Sequence, residues 1–233
     1  MKMTYKKYKI LADRDAQEYV SNLGKSLIPQ HQKDLPAGNP LKIPFRFYVV
    51  RNKVPDLNSF ESGTIVVNTS LFDVLENEAQ LAFLLEQEMA QIVEKQGWRD
   101  REYHKRQITA LKVGGFAGLV VPGLSFALMP AAKSVLNGDD YARSLQNQAE
   151  RVGLEWTLAS GFDIREAPKA WSALSLKGIP SENVLWTMYE ARRSYAVAEL
   201  KIHYSSLDYS NLKKDSGDFH RITQKVQVAE KAK

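Results

Sequence analysis

The sequence predicts an α+β fold, a mostly helical domain packed against a small β-sheet. Two runs carry the sheet: "FRFYVVRN" (45–52) and "GTIVVN" (63–68) are rich in β-branched and aromatic residues and are bounded by turn formers. Two longer stretches carry helices, "LENEAQLAFLLEQEMAQIVEKQGW" (75–98) and "DDYARSLQNQAERVGLEWTLASGFD" (139–163). In both, apolar residues recur at helical spacing between a capping residue and a stop signal. At 233 residues and 44% hydrophobic content the chain is long enough to bury one sizeable core. The expected organisation is a basic N-terminal tail (1–12), a main domain (13–212) and a C-terminal helix or tail (213–233).

The elements follow in order. A first amphipathic helix, 13–28, buries Tyr19, Val20, Leu23 and Leu27 and ends near Pro29. "QHQKDLPAGNPLKIP", which holds His31, reads as a loop, and "KVPDLNSFES" as a turn-rich connection between the strands. The helix after the second strand is capped by Asn77, with Glu78 near the positive end of its dipole and Gly97 as its stop. Its stripe is Leu81, Leu85 and Ile92, widened by Leu84 and Met89, and Glu88 falls inside it. The chain then becomes charged ("RDREYHKRQ") and abruptly apolar. The 20 residues 113–132 carry no charge, which is the length of a membrane span, but Pro122 and Gly123 break them into halves too short to cross a bilayer. A buried or lid-like hairpin is the preferred reading, with contact to a membrane surface left open.

The second long helix is capped by Asp139 or Asp140 and stopped at Gly161. Its stripe is Leu145, Ala149, Val152 and Trp156, with Gln146 alongside. Further helices are expected around 167–175, from Ser181, and over 195–203, with Trp156, Trp171 and Trp186 as core or packing residues. The last residues, "SGDFHRITQKVQVAEKAK", fray into a charged tail.

Composition excludes several classes. There are no cysteines, hence no disulfide, thiolate metal site or cysteine nucleophile. Net charge is +5, but the densest basic cluster, Lys2, Lys6, Lys7 and Lys9, is short and terminal, so a solvated tail is expected and no nucleic-acid partner. The N-terminal residues lack the apolar core of a signal peptide. The expected compartment is the cytoplasm, or the periplasm if an exported precursor has lost its signal segment.

A helix with so regular a stripe raises the question of why Gln87, Glu88 and Gln91 stand on or beside it. The strand "GTIVVN", then "LFDVLENEAQLAFLLEQEMAQIVEKQ", the apolar hairpin and "QNQAERVGLEWTLASGFDIREAP" resemble, in that order, the HtpX-like and BepA-like zinc metallopeptidases of the gluzincin group. "AQEYVSNLGKSLIP" and "PDLNSF" resemble segments of its exported bacterial branch, so the resemblance covers about 13–200. In that family the first helix carries H-E-x-x-H, two histidines holding zinc from one face and a glutamate acting as general base. The second helix carries E-x-x-A-D, whose glutamate is the third ligand.

The resemblance implies that Glu88 keeps the general-base position and that the zinc-ligand positions are Gln87, Gln91 and Gln146. It sets Glu150 as a neighbouring residue and Tyr195, with Ala196, where some relatives carry a His-Pro near the metal. The family's substrate-edge turn is also shortened here, to "NSFESG" without its proline. Glutamine offers a neutral amide oxygen and no imidazole, so no cofactor is expected where the family holds zinc. The amides are expected instead to hydrogen-bond Glu88 and one another, filling the polar hole left by a metal.

The leading reading is a pseudopeptidase that binds a polypeptide or scaffolds a partner. Alternatives are a divergent metalloendopeptidase with a rearranged site, for instance His104, Glu88 and Glu150, and a membrane-associated structural protein held by 113–132. A glycosidase-like acid and base from Glu88 and Glu150 ranks lower, because nothing indicates a sugar cleft. His31 and His203 read as loop or surface residues, and His220 as part of the C-terminal segment.

Overall fold

The structure, a computed structural model, describes residues 8–94, 138–176 and 198–231, with the side chains of 138–147 and 175–176 left out. The apolar segment 113–132, His104, the helix expected from Ser181, Tyr195 and the side chain of Gln146 lie outside the described residues.

Among the described residues four strands form one mixed sheet: β1 (Lys9–Ile10), β2 (Arg46–Arg51), β3 (Leu57–Ser59) and β4 (Thr64–Asn68), in the order β1-β2-β4-β3. The two strands legible in the sequence, β2 and β4, are parallel neighbours, with Phe47 opposite Ile65 and Val49 opposite Val67. The parallel pairing is possible because the connection between them is not a mere turn. It contains β3, which pairs antiparallel with β4 and forms an edge of the sheet. Three residues are too few to show the period of two that identifies a strand. Gly63 makes the return, at φ 86°, where a Cβ would lie 2.7 Å from Ile43 Cγ2.

β1 forms the other edge within the segment expected to be a basic tail, and Leu11 just after it is buried. Gln17 ties this edge down from the first helix. Its Nε2 donates to the carbonyls of Leu11 (2.9 Å) and Val49 (2.7 Å), and its Oε1 accepts from Val49 N (2.9 Å).

Helix α1 (Arg14–Leu27) starts where Asp13 accepts from Ala16 N at 2.8 Å, and buries Ala16, Val20, Leu23 and Leu27 as the spacing requires. Gly24 lets it lie directly on β2, since a Cβ there would stand 2.5 Å from the Phe47 ring. Tyr19 is half-buried, its hydroxyl donating to Glu78 Oε1 at 2.9 Å. One turn of helix, α2 (Gln30–Lys33), interrupts the expected loop, exposing His31 and turning Gln32 inward to accept from Ile43 N at 3.1 Å.

Helix α3 (Glu78–Val93) is capped by Asn77, whose side chain accepts from Gln80 N at 3.1 Å. It ends with Glu94 as its C-cap, short of the expected stop at Gly97. Its burial departs further from the reading. Leu81, Leu84, Leu85 and Met89 are buried as expected, but so are Glu78, Gln80, Glu86 and Gln87 on other sides. α3 is therefore the central helix of the domain and not a one-faced surface helix.

Helix α4 (Gly138–Ala159) runs antiparallel along α3: Gln148 Nε2 donates to Glu94 Oε2 (2.9 Å), Gly153 abuts Gln87, and Ser160 Oγ donates to Glu86 Oε1 (2.7 Å). Gly161, at φ 80°, stops it, and a short 3-10 turn (Ile164–Glu166) leads into α5 (Ala167–Leu176). Glu166 fastens this corner to the start of α3, accepting from Asn77 Nδ2 and Gln80 Nε2 (both 2.9 Å), Lys169 Nζ (2.7 Å) and Lys214 Nζ (3.2 Å).

The C-terminal segment is not a frayed tail. Helix α6 (Asp218–Lys231) buries Phe219, Ile222 and Val226 against α1 and the 3-10 helix Thr69–Asp73. Among the described residues no helix is long and apolar enough to cross a membrane.

Candidate functional site

The candidate site lies where the last turns of α3 meet α4 on one side and β3 on the other. Alternation along β3 sends Leu57 and Ser59 to the sheet face that α3 covers, since they pair opposite Val67 and Ile65, both fully buried. On the opposite flank, a Cβ on Gly153 would stand 3.0 Å from Gln87 Cα, so the missing side chain lets α4 lie against the backbone of α3 at Gln87.

Glu88 is half-buried, which agrees with its expected place on the stripe. Burial pushes its carboxyl up to about 7. Hydrogen bonds from Ser59 and Gln91 pull against that rise, and the Asp56 charge adds to it. The Gln91 contact is Nε2 to Glu88 Oε1 at 3.1 Å, the bond expected between these two positions.

Gln87 does something else. It is 2% exposed, and its Oε1 accepts the indole N–H of Trp171 at 3.1 Å. The expected bond from Gln87 to Glu88 is replaced by one into the core. Trp171 is itself held edge-on against Phe83, ring centroids 4.9 Å apart. Glu150 is buried on α4.

Four residues of this region were missed by the sequence reading. Asp56 and Ser59 lie in a segment taken for a turn. Trp171 was assigned to packing, and no local pattern points its N–H at Gln87. Glu86 looks like one more charge on a polar helix, yet it is fully buried, and burial pushes its carboxyl up to about 8 against hydrogen bonds from Thr157 and Ser160 and the distant charge of Lys33. Among the described residues no three His, Asp or Glu side chains are grouped to hold a metal ion.

A model of peptidase family M48 matches residues 16–206, most of the chain and all of the elements above except β1 and α6. This chain belongs to peptidase family M48. M48 proteins are in general zinc metallopeptidases. Similar proteins include the beta-barrel assembly-enhancing proteases of Yersinia pestis, 25% identical over 160 residues, and of Escherichia coli K12, 24% identical over 160 residues; each match takes in 65% of this chain. The mitochondrial metalloendopeptidase OMA1 of Bos taurus is 26% identical over 145 residues, 54% of this chain and 26% of its own length. The chain spans 31% of the length of each of those two bacterial relatives.

Proposed function

We propose that this M48 protein is a catalytically degenerate peptidase, a pseudopeptidase that binds an extended polypeptide and acts as a scaffold or chaperone for it. The observation that carries this reading is the Gln87 amide oxygen accepting the Trp171 indole N–H inside the core. Gln87 stands at the first ligand position of the family motif, and its oxygen, the atom with which an amide would meet a cation, is turned to the indole. Gln91 donates to Glu88 through its Nε2, which ties that amide to the base position. Three neutral amides supply neither the imidazole nor the charge that a zinc site needs. The residues at these positions therefore do not fit zinc, and no hydrolytic step is derived through it.

What supports a polypeptide ligand is the strand beside the site. β3 is an edge of the sheet with Ser59 facing Glu88, and an edge strand offers backbone N–H and C=O groups to an added strand. The relatives named as proteases fit the same ligand class.

The test joins two measurements on the same preparation. After incubation with zinc and desalting, native mass spectrometry is expected to show no retained metal, while fluorescence anisotropy shows binding of a labelled unfolded polypeptide. Chelator-sensitive cleavage of that polypeptide overturns the proposal. One observation favours a second reading, a divergent metalloendopeptidase: a carboxyl at about 7 is poised for acid–base work. That reading requires stoichiometric metal and hydrolysis that disappears in Glu88→Gln.

A further inference from the structure

From Asn77 to Ala90 every residue is buried except Glu88. α3 therefore has one window to the surface ahead of its last turn, and the window holds a carboxylate. It opens beside β3, which packs on α3 and forms, among the described residues, an edge of the sheet. Ser59 on that strand is half-buried and faces Glu88. Gln91, three positions on and also half-buried, donates from Nε2 to Glu88 Oε1 at 3.1 Å.

Both of these neighbours are neutral, which sets Glu88 apart from other carboxylates around α3. Glu78 meets Lys213 at 2.8 Å, and Glu166, at the corner fastened to the start of the helix, meets Lys169 at 2.7 Å and Lys214 at 3.2 Å. Glu86 meets only hydroxyls at contact distance, but it is sealed from solvent. Among the described residues no basic side chain reaches Glu88, and the Asp56 charge adds to the negative potential there. A half-buried carboxylate without a cation is incompletely compensated, and here it is open to a partner from outside.

A strand added to the open edge of β3 directs alternate side chains to the face that α3 covers. The residue opposite Ser59 then has its Cβ about 5 Å from that of Ser59, and the diagonal ones lie about 7–8 Å away. A long basic side chain spans that gap with its aliphatic stem and brings its charged head to Glu88. An acidic side chain at the same place is repelled.

We propose that the groove selects an extended polypeptide segment carrying a basic side chain, Lys or Arg, which pairs with Glu88 through the window beside Ser59. The inference rests on the pseudopeptidase reading above, since that reading supplies the polypeptide. It gives Glu88 a task, choosing the ligand by charge, that needs neither metal nor hydrolysis.

The experiment is fluorescence anisotropy of the full chain with labelled peptides at pH 8, where the Glu88 carboxyl is ionised. The peptides are short, capped at both ends and uncharged except at one central position, which is lysine, norleucine or glutamate. The lysine peptide is expected to bind at least about fivefold more tightly than the norleucine peptide, and the glutamate peptide most weakly. Glu88→Gln should bring the lysine peptide down to the norleucine affinity and leave the norleucine peptide unchanged, which also shows that the variant is folded. Ser59→Lys, which sets an ammonium beside Glu88 within the chain, should remove the preference as well. Equal affinities for lysine and norleucine in the wild type overturn the inference, and so does a lysine preference that survives Glu88→Gln. Either result leaves polypeptide binding standing. Binding of none of the peptides overturns the polypeptide reading and this inference with it.

Discussion

Replacing Glu86 by glutamine should make the protein less sensitive to rising pH, and the effect can be sized from its surroundings. Glu86 is fully buried at the α3–α4 contact, with Ser160 Oγ donating to Oε1 at 2.7 Å and, among the described residues, no hydrogen-bond partner at Oε2. Burial raises its carboxyl from 4.5 to about 8. The unfolded chain gives up this proton near pH 4.5, whereas the folded chain holds it until about pH 8. Over that interval the folded state binds more protons, so stability falls as pH rises and the fall ends above pH 8. Between pH 5 and 8 the loss assigned to this one group is roughly 4 kcal/mol. The substituted amide accepts from Ser160 as the carboxyl did and does not titrate, although it leaves an N–H group where Oε2 was, at a pH-independent cost of about 1–3 kcal/mol. The assay is urea unfolding followed by tryptophan fluorescence at pH 5, 6, 7 and 8 for both proteins. Wild type should be the more stable at pH 5, and Glu86→Gln should overtake it as pH rises. A stability difference that stays constant across this range refutes the reasoning, because it means that Glu86 is not desolvated in the folded protein.

Gln87→Leu should lower stability by about 1–3 kcal/mol by leaving the buried Trp171 N–H without an acceptor. Combined with Trp171→Phe it should cost less than the sum of the two single changes, and a double-mutant cycle in urea reads the difference. Glu166 behaves opposite to Glu86. Burial pushes it up, but Lys169, Asn77, Gln80 and Lys214 hold it down to about 2. Its contribution is therefore complete above pH 4.5 and is lost as pH falls from 4.5 towards 2. With half-exposed lysines as two of its partners, that contribution is roughly 1–3 kcal/mol. Acid titration of Glu166→Gln beside wild type should show the two curves converge below pH 3. Finally, Gln87→His/Gln91→His/Gln146→Glu should retain about one zinc per chain after desalting while wild type retains none. A triple variant without metal, but folded by circular dichroism, means that the ligand positions are wrongly placed on α3 and α4.

How much of this was legible depended on whether the signal was local. The range of α1, the capped start of α3, the stop of α4 at Gly161 and the two longer strands were legible, because an apolar period, a cap, a glycine or a β-branched run acts within a few residues. The Gln91–Glu88 pair was legible for the same reason, as positions three apart on a helix. β3 was not, because a three-residue strand exists only through its pairing with β4. The docking of α6 was hidden too. Phe219, Ile222 and Val226 have helical spacing, but they sit in a charged segment whose apolar face is explained only by the partners it finds on α1 and the Thr69–Asp73 turn.

The sequence by itself determined the α+β class, the order of the main helices and the residence of Glu88, Gln87 and Gln91 on one helix, because hydrophobic period, caps and turn formers specify backbone conformation locally. Only the tertiary structure decided that α3 buries polar residues away from its apolar stripe, that Gln87 faces Trp171 84 positions away in the chain, and that Glu86 is dry enough to hold its proton. Burial and hydrogen-bond partners depend on which elements pack around a residue. A helical wheel can say which way a side chain points but not what it meets there.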